Sequence, residues 1–537
     1  MTQVGAREWA RPLPPGLSDD DLDHALDAFA GAVGGDAVLT SEEDLRTFRD
    51  PFAYPTWDDY TASAVVMPTE VEQVQEVVRI ANRFKVPLWP HSTGRNNGYG
   101  GPAPRLKGSV IVSLRNMNRV LEINEESAYA VVEPGVRWSD LYDAIQAGGH
   151  KLMLSVPDLG WGSVIGNTLD HGLTYLPNGI DGAMHCGMEV VLPDGDLLRT
   201  GMGAMSGNRA WNVYKRGLGP TAEQLFMQSN FGIVTKMGVW LMPYLEVYMP
   251  LWLRVWADDD LGAVVETLRR LSLDGTIRMV PQILNAPLLG SVYSSRGQWH
   301  TGEGPIPDEG LDRMARELEI GRWMMRFALH GDEAVVDHNF KKIKDAFERI
   351  PGAEVWGTKH APADIPKLEN PIERIQGGVP GLDLNAQAAW YGGEEGGHIG
   401  FSPVAPLTGK DAHALRDLLR RMIEEAGLDY MAALIMPNAR SFIHITLIIF
   451  DTKNEQQTRA AYDVSKRLVP EAAKLGYGEY RAHLDFMDLA MAQYDFNDHA
   501  SLRFAERIKD ALDPNGILAP GKQGIWPSAL REARRSG

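Results

Sequence analysis

An α+β fold in two units is what this sequence predicts, and three observations carry the prediction. Short strand-like runs separated by turns fill residues 1–246. One βαβ unit among them ends in a glycine-rich loop. Beyond residue 250 the texture shifts to longer alternating helices and strands. At 537 residues and 44% hydrophobic content, the chain is long enough for more than one core.

In chain order, residues 19–32 read as a helix and 64–68 as a strand. Thr69 is expected to cap the next helix, whose stripe Val71, Val74, Val77, Val78 and Ala81 is core. The strand 86–90 completes the βαβ unit. Strand-like runs follow at 109–114, 120–124 and 129–133, and Ser139 is expected to cap a helix over 140–146. Runs 187–192 and 197–200 flank Pro193-Asp194-Gly195-Asp196, a hairpin signal, and 233–242 reads as a further strand. The second unit has strands at 251–256 and 442–450. Its helices fall at 261–273, 310–329, 339–349, 410–425 and 455–475, which suggests an antiparallel sheet with helices on one face. A helix from Arg503 then runs to the turn Asp513-Pro514-Asn515-Gly516.

A net charge of −18 argues against nucleic acid or an anionic membrane as partner. One cysteine, Cys186, excludes a disulfide framework, a zinc finger and an iron–sulfur cluster, and it reads as a small buried apolar residue. The 14 histidines lack metal-ligand spacing, so no metal is expected. No run approaches membrane-spanning length, no secretory signal is visible over residues 1–21, and a cytoplasmic location is the default. The stretch Gly201-Met202-Gly203-Ala204-Met205-Ser206-Gly207 misplaces the third glycine of a dinucleotide fingerprint and follows a hairpin, so it reads as a loop.

The chemistry starts at His91-Ser92-Thr93-Gly94-Arg95-Asn96-Asn97-Gly98-Tyr99-Gly100-Gly101. Glycines let backbone approach a ligand, and successive N–H groups form an anion-binding nest, so this loop is suited to phosphate or pyrophosphate. Tyr99 is an odd residue for phosphate alone and points to a second role.

This loop resembles the pyrophosphate loop of the vanillyl-alcohol oxidase family of flavoproteins. Five further segments resemble that family in the same order. They are Pro157 through Gly162-Ser163 and Gly166-Asn167-Thr168 to Asp170, Gln228 through Gly232-Ile233-Val234-Thr235, Gly397-His398-Ile399-Gly400-Phe401-Ser402-Pro403, and Tyr477-Gly478-Glu479-Tyr480-Arg481 with Asp513 through Lys522. The similarity is greatest to the family's 4-alkylphenol oxidases. It implies an FAD-binding domain over 1–246, a substrate (cap) domain over 247–496, and a tail over 497–537 that returns to the first domain.

By that resemblance the cofactor is FAD, held covalently through an 8α bond to His398 and contacted by Ser92 to Gly98, Pro157, Gly162, Ser163, Gly166 to Thr168, Gly232 to Val234, Arg481 and Lys522. Tyr99, Tyr480 and Arg481 are then expected around a phenolate oxygen. Ionising a phenol of pKa about 10 at pH 7 costs roughly 4 kcal/mol, which one guanidinium and two phenolic donors offset. Neighbours on a strand face opposite ways, so Tyr480 and Arg481 share one site only where the strand ends or bulges. Asp170 is the implied acid/base. The implied reaction oxidises para-alkyl or allyl phenols at the benzylic carbon through a para-quinone methide, with O₂ reduced to H₂O₂, in a homodimer.

Residues 176–181, Leu176-Pro177-Asn178-Gly179-Ile180-Asp181, depart from the family's pattern, and Ala433 stands where the relatives carry a glutamine. His171 replaces the usual arginine. With Asn178, Ile180, Gly400, Ser402, Ala433 and Ile435 expected around the substrate, these changes point to a larger, less polar pocket and a syringyl preference. Three rival readings stand beside this one: a dehydrogenase passing electrons to a cytochrome, a hydroxyacid oxidase of the same fold, and a flavin-binding scaffold without turnover. The cytochrome-linked relatives attach FAD through tyrosine, and a hydroxyacid would want a cationic carboxylate clamp.

Overall fold

The computed structural model describes residues 9–52 and 57–535. The first eight residues of the stretch read for a targeting signal lie outside them. The fold is α+β, built on three main sheets.

The first sheet has four strands in the order Val38–Leu39, Ala64–Val66, Val110–Ser113, Leu88–His91. Its last three strands are parallel. The valine stripe lies on helix Val71–Phe84 and is buried throughout. That helix carries the chain past the strand Val110–Ser113, which inserts between the two strands the βαβ unit joins. Thr69 is not the cap: Glu70 holds that position, and Gln73 Oε1 accepts from the Thr69 and Glu70 N–H groups. Ser139 likewise lies inside its helix, Trp138–Ala147, which starts after Arg137, because Asp140 reaches back to the Arg137 N–H at 2.9 Å.

The second sheet is antiparallel, with five strands in the order Val120–Asn124, Tyr129–Val132, Ile233–Trp240, His185–Val191, Leu197–Arg199. Cys186 lies on it, buried, its thiol pushed up to about 12 by burial. The tail comes back to the first sheet: Leu518 bridges Leu88, and the buried Lys509–Asp513 ion pair of 2.7 Å braces the turn before it.

The third sheet is antiparallel: Glu354–Gly357, Val247–Val255, Trp323–Gly331, Gln282–Asn285, Ala432–Ile435, Ser441–Asp451, Gly396–Phe401, with Val404–Pro406 pairing beside the long strand. Helices Leu261–Leu273, Glu333–Phe347, Gly409–Glu425 and Glu455–Lys474 share one core with Leu251, Ile283, Met325, Leu434 and Ile448. Alternate residues, Trp252, Leu284, Met324, Ala433 and Ile449, face the other way into a core shared with the first unit. Helix Ala286–Tyr293 contributes Leu288 and Leu289 to that second core, so helices are not confined to one face.

The expected helix over 310–329 is two elements. A helix, Asp308–Glu317, ends at Glu319 and Gly321, both at positive φ, and Trp323–Gly331 is a strand in the middle of the sheet. A Cβ on Gly321 would come 2.4 Å from the Val255 carbonyl oxygen, so the chain turns there against a neighbouring strand. The apolar run that follows is buried by sheet neighbours on both sides, which a helical reading of its periodicity cannot register.

Candidate active site

Two chambers adjoin: the first lies within the first unit and the segments around Arg481 and Lys522, and the second lies between that unit and the inner face of the third sheet. One is walled by the loop after strand Leu88–His91, by Ser163, Ile165 and Gly166, by Gly232 to Val234, and by Lys522. The other is walled mainly by apolar side chains such as Leu284, Leu288, Ile445 and Leu447. Arg95, Asn96, Tyr99, Gly162, Asn167 and Arg481 line both, so the chambers join there.

The glycine-rich loop is pinned to the third sheet, because the Gly400 N–H donates to the Gly98 carbonyl at 3.0 Å. Gly98 has φ +80°, and a Cβ on it would come 2.4 Å from His398 Nε2. Only glycine lets this backbone lie against that ring. A Cβ on Gly166 would meet Ser92 Oγ at 2.3 Å, so the loop and the segment 157–170 are equally close. Ser163 caps the helix Val164–Leu169, and its Oγ accepts from the Gly166 N–H at 3.0 Å. Thr168 Oγ1 donates to the Val164 carbonyl at 2.8 Å and lines neither chamber.

Tyr480 and Arg481 lie in irregular backbone after the isolated bridge Pro403–Glu479, which lets both neighbours line the second chamber. The Arg481 guanidinium carbon is 4.1 Å from the Tyr99 ring centroid, and Nη2 donates to Asn96 Oδ1 at 3.3 Å. The Tyr99 hydroxyl and Ser402 Oγ are 3.2 Å apart. Gln228 Nε2 donates to the Tyr480 carbonyl at 2.9 Å and to the Asp170 carbonyl at 3.3 Å, tying the two segments together. Burial pushes the Tyr480 hydroxyl well up, against the pull of Arg481, so it stays a donor at neutral pH.

Asp170 closes the helix Val164–Leu169 and faces the first chamber. Its Oδ1 accepts from Lys522 Nζ at 3.2 Å and its Oδ2 from Asn96 Nδ2 at 3.4 Å. Burial would raise this carboxyl, but Lys522 and Arg481 outweigh it and hold it below the usual range. His171 takes φ +52°, and burial lowers its imidazole against the opposing pull of Asp170. His398 sits on strand Gly396–Phe401, paired with Ile449, and lines the second chamber. Burial lowers its imidazole to about 4, so it is neutral at physiological pH.

Ala433 and Ile435 line the second chamber. The other four residues expected around the substrate do not. Gly400 and Ser402 stand behind Tyr99: a Cβ on Gly400 would come 2.7 Å from Tyr99 Cζ. Asn178 turns to the Trp240 carbonyl at 2.7 Å, and Ile180 packs into the core of the second sheet. Pro177–Gly182 is a short 3₁₀ turn that leads into the strand His185–Val191, and it draws Asn178 and Ile180 away from the cavity. Sequence reasoning missed Gln282 and Arg326 on the chamber wall. A charged residue on the inner-facing register of an apolar strand is the signal, hidden while 310–329 reads as helix.

Two family models match the chain: an FAD binding domain over residues 62–201, and the C-terminal domain of FAD linked oxidases over 315–523. The flavoprotein subunit of 4-cresol dehydrogenase [hydroxylating] from Pseudomonas putida is 36% identical over 518 residues, covering 96% of this chain and 97% of that one. The chain belongs to the vanillyl-alcohol oxidase/p-cresol methylhydroxylase family. Among this family's solved structures, 4-ethylphenol oxidase from Gulosibacter chungangensis, as its isoeugenol complex, is 40% identical, covers 97% of this chain and 100% of its own, and superposes with a TM-score of 0.92. Substrate-bound p-cresol methylhydroxylase is 35% identical, covers 96% and 99%, and gives 0.90.

As a family member the protein is an FAD-linked oxidoreductase. The first chamber fits that cofactor. Its wall carries buried polar atoms with no partner among the described residues: His91 Nε2, Asn167 Nδ2, Ser229 Oγ and Arg481 Nε. Such atoms are costly unless a ligand satisfies them. No group of three or more metal-ligating side chains occurs among the described residues, and no described helix is long and apolar enough to cross a membrane.

Proposed function

We propose that the protein oxidises para-alkyl and allyl phenols at the benzylic carbon, using O₂ as electron acceptor and releasing H₂O₂. The observation that carries this reading is the position of Tyr99, Tyr480 and Arg481 on the wall of an apolar chamber, with Tyr99 and Arg481 at its junction with the FAD chamber. Relatives acting on 4-cresol and 4-ethylphenol, alike over nearly the whole chain, support it.

Arg481 and the two tyrosine hydroxyls hold the substrate's ring oxygen as phenolate, which pushes electron density toward the para carbon. Bound FAD supplies two-electron acceptance and reoxidation by O₂. The apolar wall excludes bulk water from the resulting para-quinone methide. Asp170 accepts the proton when water adds at the benzylic carbon, or when the side chain loses a proton to give an alkene. His398, neutral and against Gly98, is the residue assigned to the covalent 8α bond. Ala433, small where it meets the chamber, leaves room for ring methoxy groups. The active species is assigned as a cytoplasmic homodimer.

The test is anaerobic addition of 4-ethylphenol to purified holoenzyme, followed by admission of O₂. Bleaching of the yellow colour and one H₂O₂ per product are expected. Bleaching without H₂O₂, with electrons passed readily to cytochrome c, would make it a dehydrogenase. No bleaching by any para-alkylphenol would remove the phenol reading altogether.

A further inference from the structure

The wall of the second chamber away from His398 carries a polar pair that the reaction above does not use. Arg326 stands opposite Gln282 in the register of their two strands, and Ile435 is next in the same row. All three line the chamber. In strand order this row begins four strands from the one that carries His398, about 19 Å across the sheet at the usual spacing of ~4.8 Å.

Arg326 is 1% exposed. Its Nε donates to Gln282 Oε1 at 2.7 Å and its Nη2 to Asp158 Oδ1 at 2.6 Å, and the guanidinium lies 4.9 Å from the Tyr175 ring centroid. Among the described residues two donors of the pair have no acceptor at hydrogen-bond distance, Arg326 Nη1 and Gln282 Nε2, although the Tyr175 hydroxyl lies near Gln282 and Asp158. Both are donors only, so the missing partner is an acceptor. Asp158 already balances the charge of Arg326, so a second carboxylate would face an existing one. The unmet demand is for a neutral oxygen.

Building on the phenol-oxidising reading, we propose that Arg326 and Gln282 form a subsite for a neutral oxygen acceptor that the substrate carries away from its reacting ring hydroxyl. That oxygen is a hydroxyl on the para side chain or a methoxy group on the ring, and substrates bearing one are favoured over their hydrocarbon counterparts.

The experiment compares kcat/KM of the holoenzyme for 4-propylphenol, 3-(4-hydroxyphenyl)propan-1-ol, 2-methoxy-4-propylphenol and 3-(4-hydroxyphenyl)propanoate. The expected result is a gain of threefold or more over 4-propylphenol for the alcohol, the methoxyphenol or both. The two arms tell side-chain from ring oxygen, and the propanoate shows no such gain. In Gln282→Leu the ratio of oxygenated to hydrocarbon substrate collapses toward one. Gln282 holds no ion pair, so this variant avoids stranding Asp158 as Arg326→Met would; the latter is the second variant. A gain below threefold for both oxygenated compounds, a ratio that survives Gln282→Leu, or a propanoate that outperforms the alcohol overturns the subsite. Should 4-propylphenol itself not be oxidised, the phenol reading fails rather than the subsite.

Discussion

The Arg481 guanidinium lies over the Tyr99 ring, 4.1 Å from carbon to centroid, where the two chambers join. Residues nearly four hundred positions apart thus present one cation and one phenolic donor to the same point. Arg481→Met removes the cation while keeping much of the bulk. Loss of one partner from a buried charge pair costs about 3–5 kcal/mol, so kcat/KM for 4-ethylphenol is expected to fall by at least two orders of magnitude. Arg481→Lys keeps the charge and loses the planar stack, and is expected to fall between. A loss under tenfold for Arg481→Met would contradict the phenolate cage.

Lys522 and Asp170 form the second coupled pair, 3.2 Å apart. Burial by itself would raise this carboxyl, and Lys522 together with Arg481 holds it low. Removing the lysine cation in Lys522→Met lets burial raise it. The acidic limb of the kcat/KM profile is therefore expected to move to higher pH. An unmoved limb would separate Asp170 from the rate-determining proton transfer.

His398→Ala tests the covalent bond directly. Acid-precipitated wild-type protein is expected to stay yellow, with the flavin mass on the peptide containing His398, whereas the variant's pellet is colourless. Gly98→Ala places a methyl group 2.4 Å from His398 Nε2 at a φ that alanine resists, so it is expected to lower flavin incorporation with His398 still present. Full covalent loading of His398→Ala, read by mass, would reassign the attachment site.

Ala433 lies between Leu284 and Ile445 in the sheet and is 5% exposed. Ala433→Gln fills the chamber at that point, and overpacking of this kind costs roughly 1–3 kcal/mol. The wild type is expected to prefer 4-allylsyringol to 4-allylguaiacol and 4-ethylphenol, and the variant to lose the syringol selectively. A wild-type lead for 4-ethylphenol would refute the syringyl preference.

Glu479 is buried beside Tyr480, its Oε2 has no partner among the described residues, and burial raises its carboxyl to about 8. An unfolded glutamate ionises near 4.3, so between roughly pH 4 and 8 the folded state holds a proton that the unfolded state has released. The group therefore destabilises the fold progressively as pH rises through that window, by an order of a few kcal/mol at its upper end. Glu479→Gln is expected to gain thermal stability relative to wild type from pH 5 to 8, with little difference below pH 4. A constant difference across the range would mean that Glu479 keeps an ordinary carboxyl.

Much of the cofactor side was legible in the linear chain. The loop 91–101 needs positive φ at Gly94, Gly98, Gly100 and Gly101, a demand that glycine spacing displays locally. The valine stripe of helix Val71–Phe84 announces its buried face in the same way. The substrate side was less legible. Asn178 and Ile180 looked like pocket residues because they break a family pattern, yet a 3₁₀ turn points them elsewhere. Arg326 was concealed by an apolar run whose period fits a helix as well as a fully buried strand.

By itself the sequence determined local backbone shapes and the types of chemical group: where chain can approach a cofactor, which face of helix Val71–Phe84 is buried, which side chains can carry charge. Only the tertiary structure decided which groups meet. Tyr99 faces Arg481, Lys522 reaches Asp170, and Arg326 stands opposite Gln282 because strand register and chain crossing bring distant segments together. Local propensity depends on a few neighbouring residues, whereas a site's geometry depends on contacts whose sequence separation no local pattern encodes.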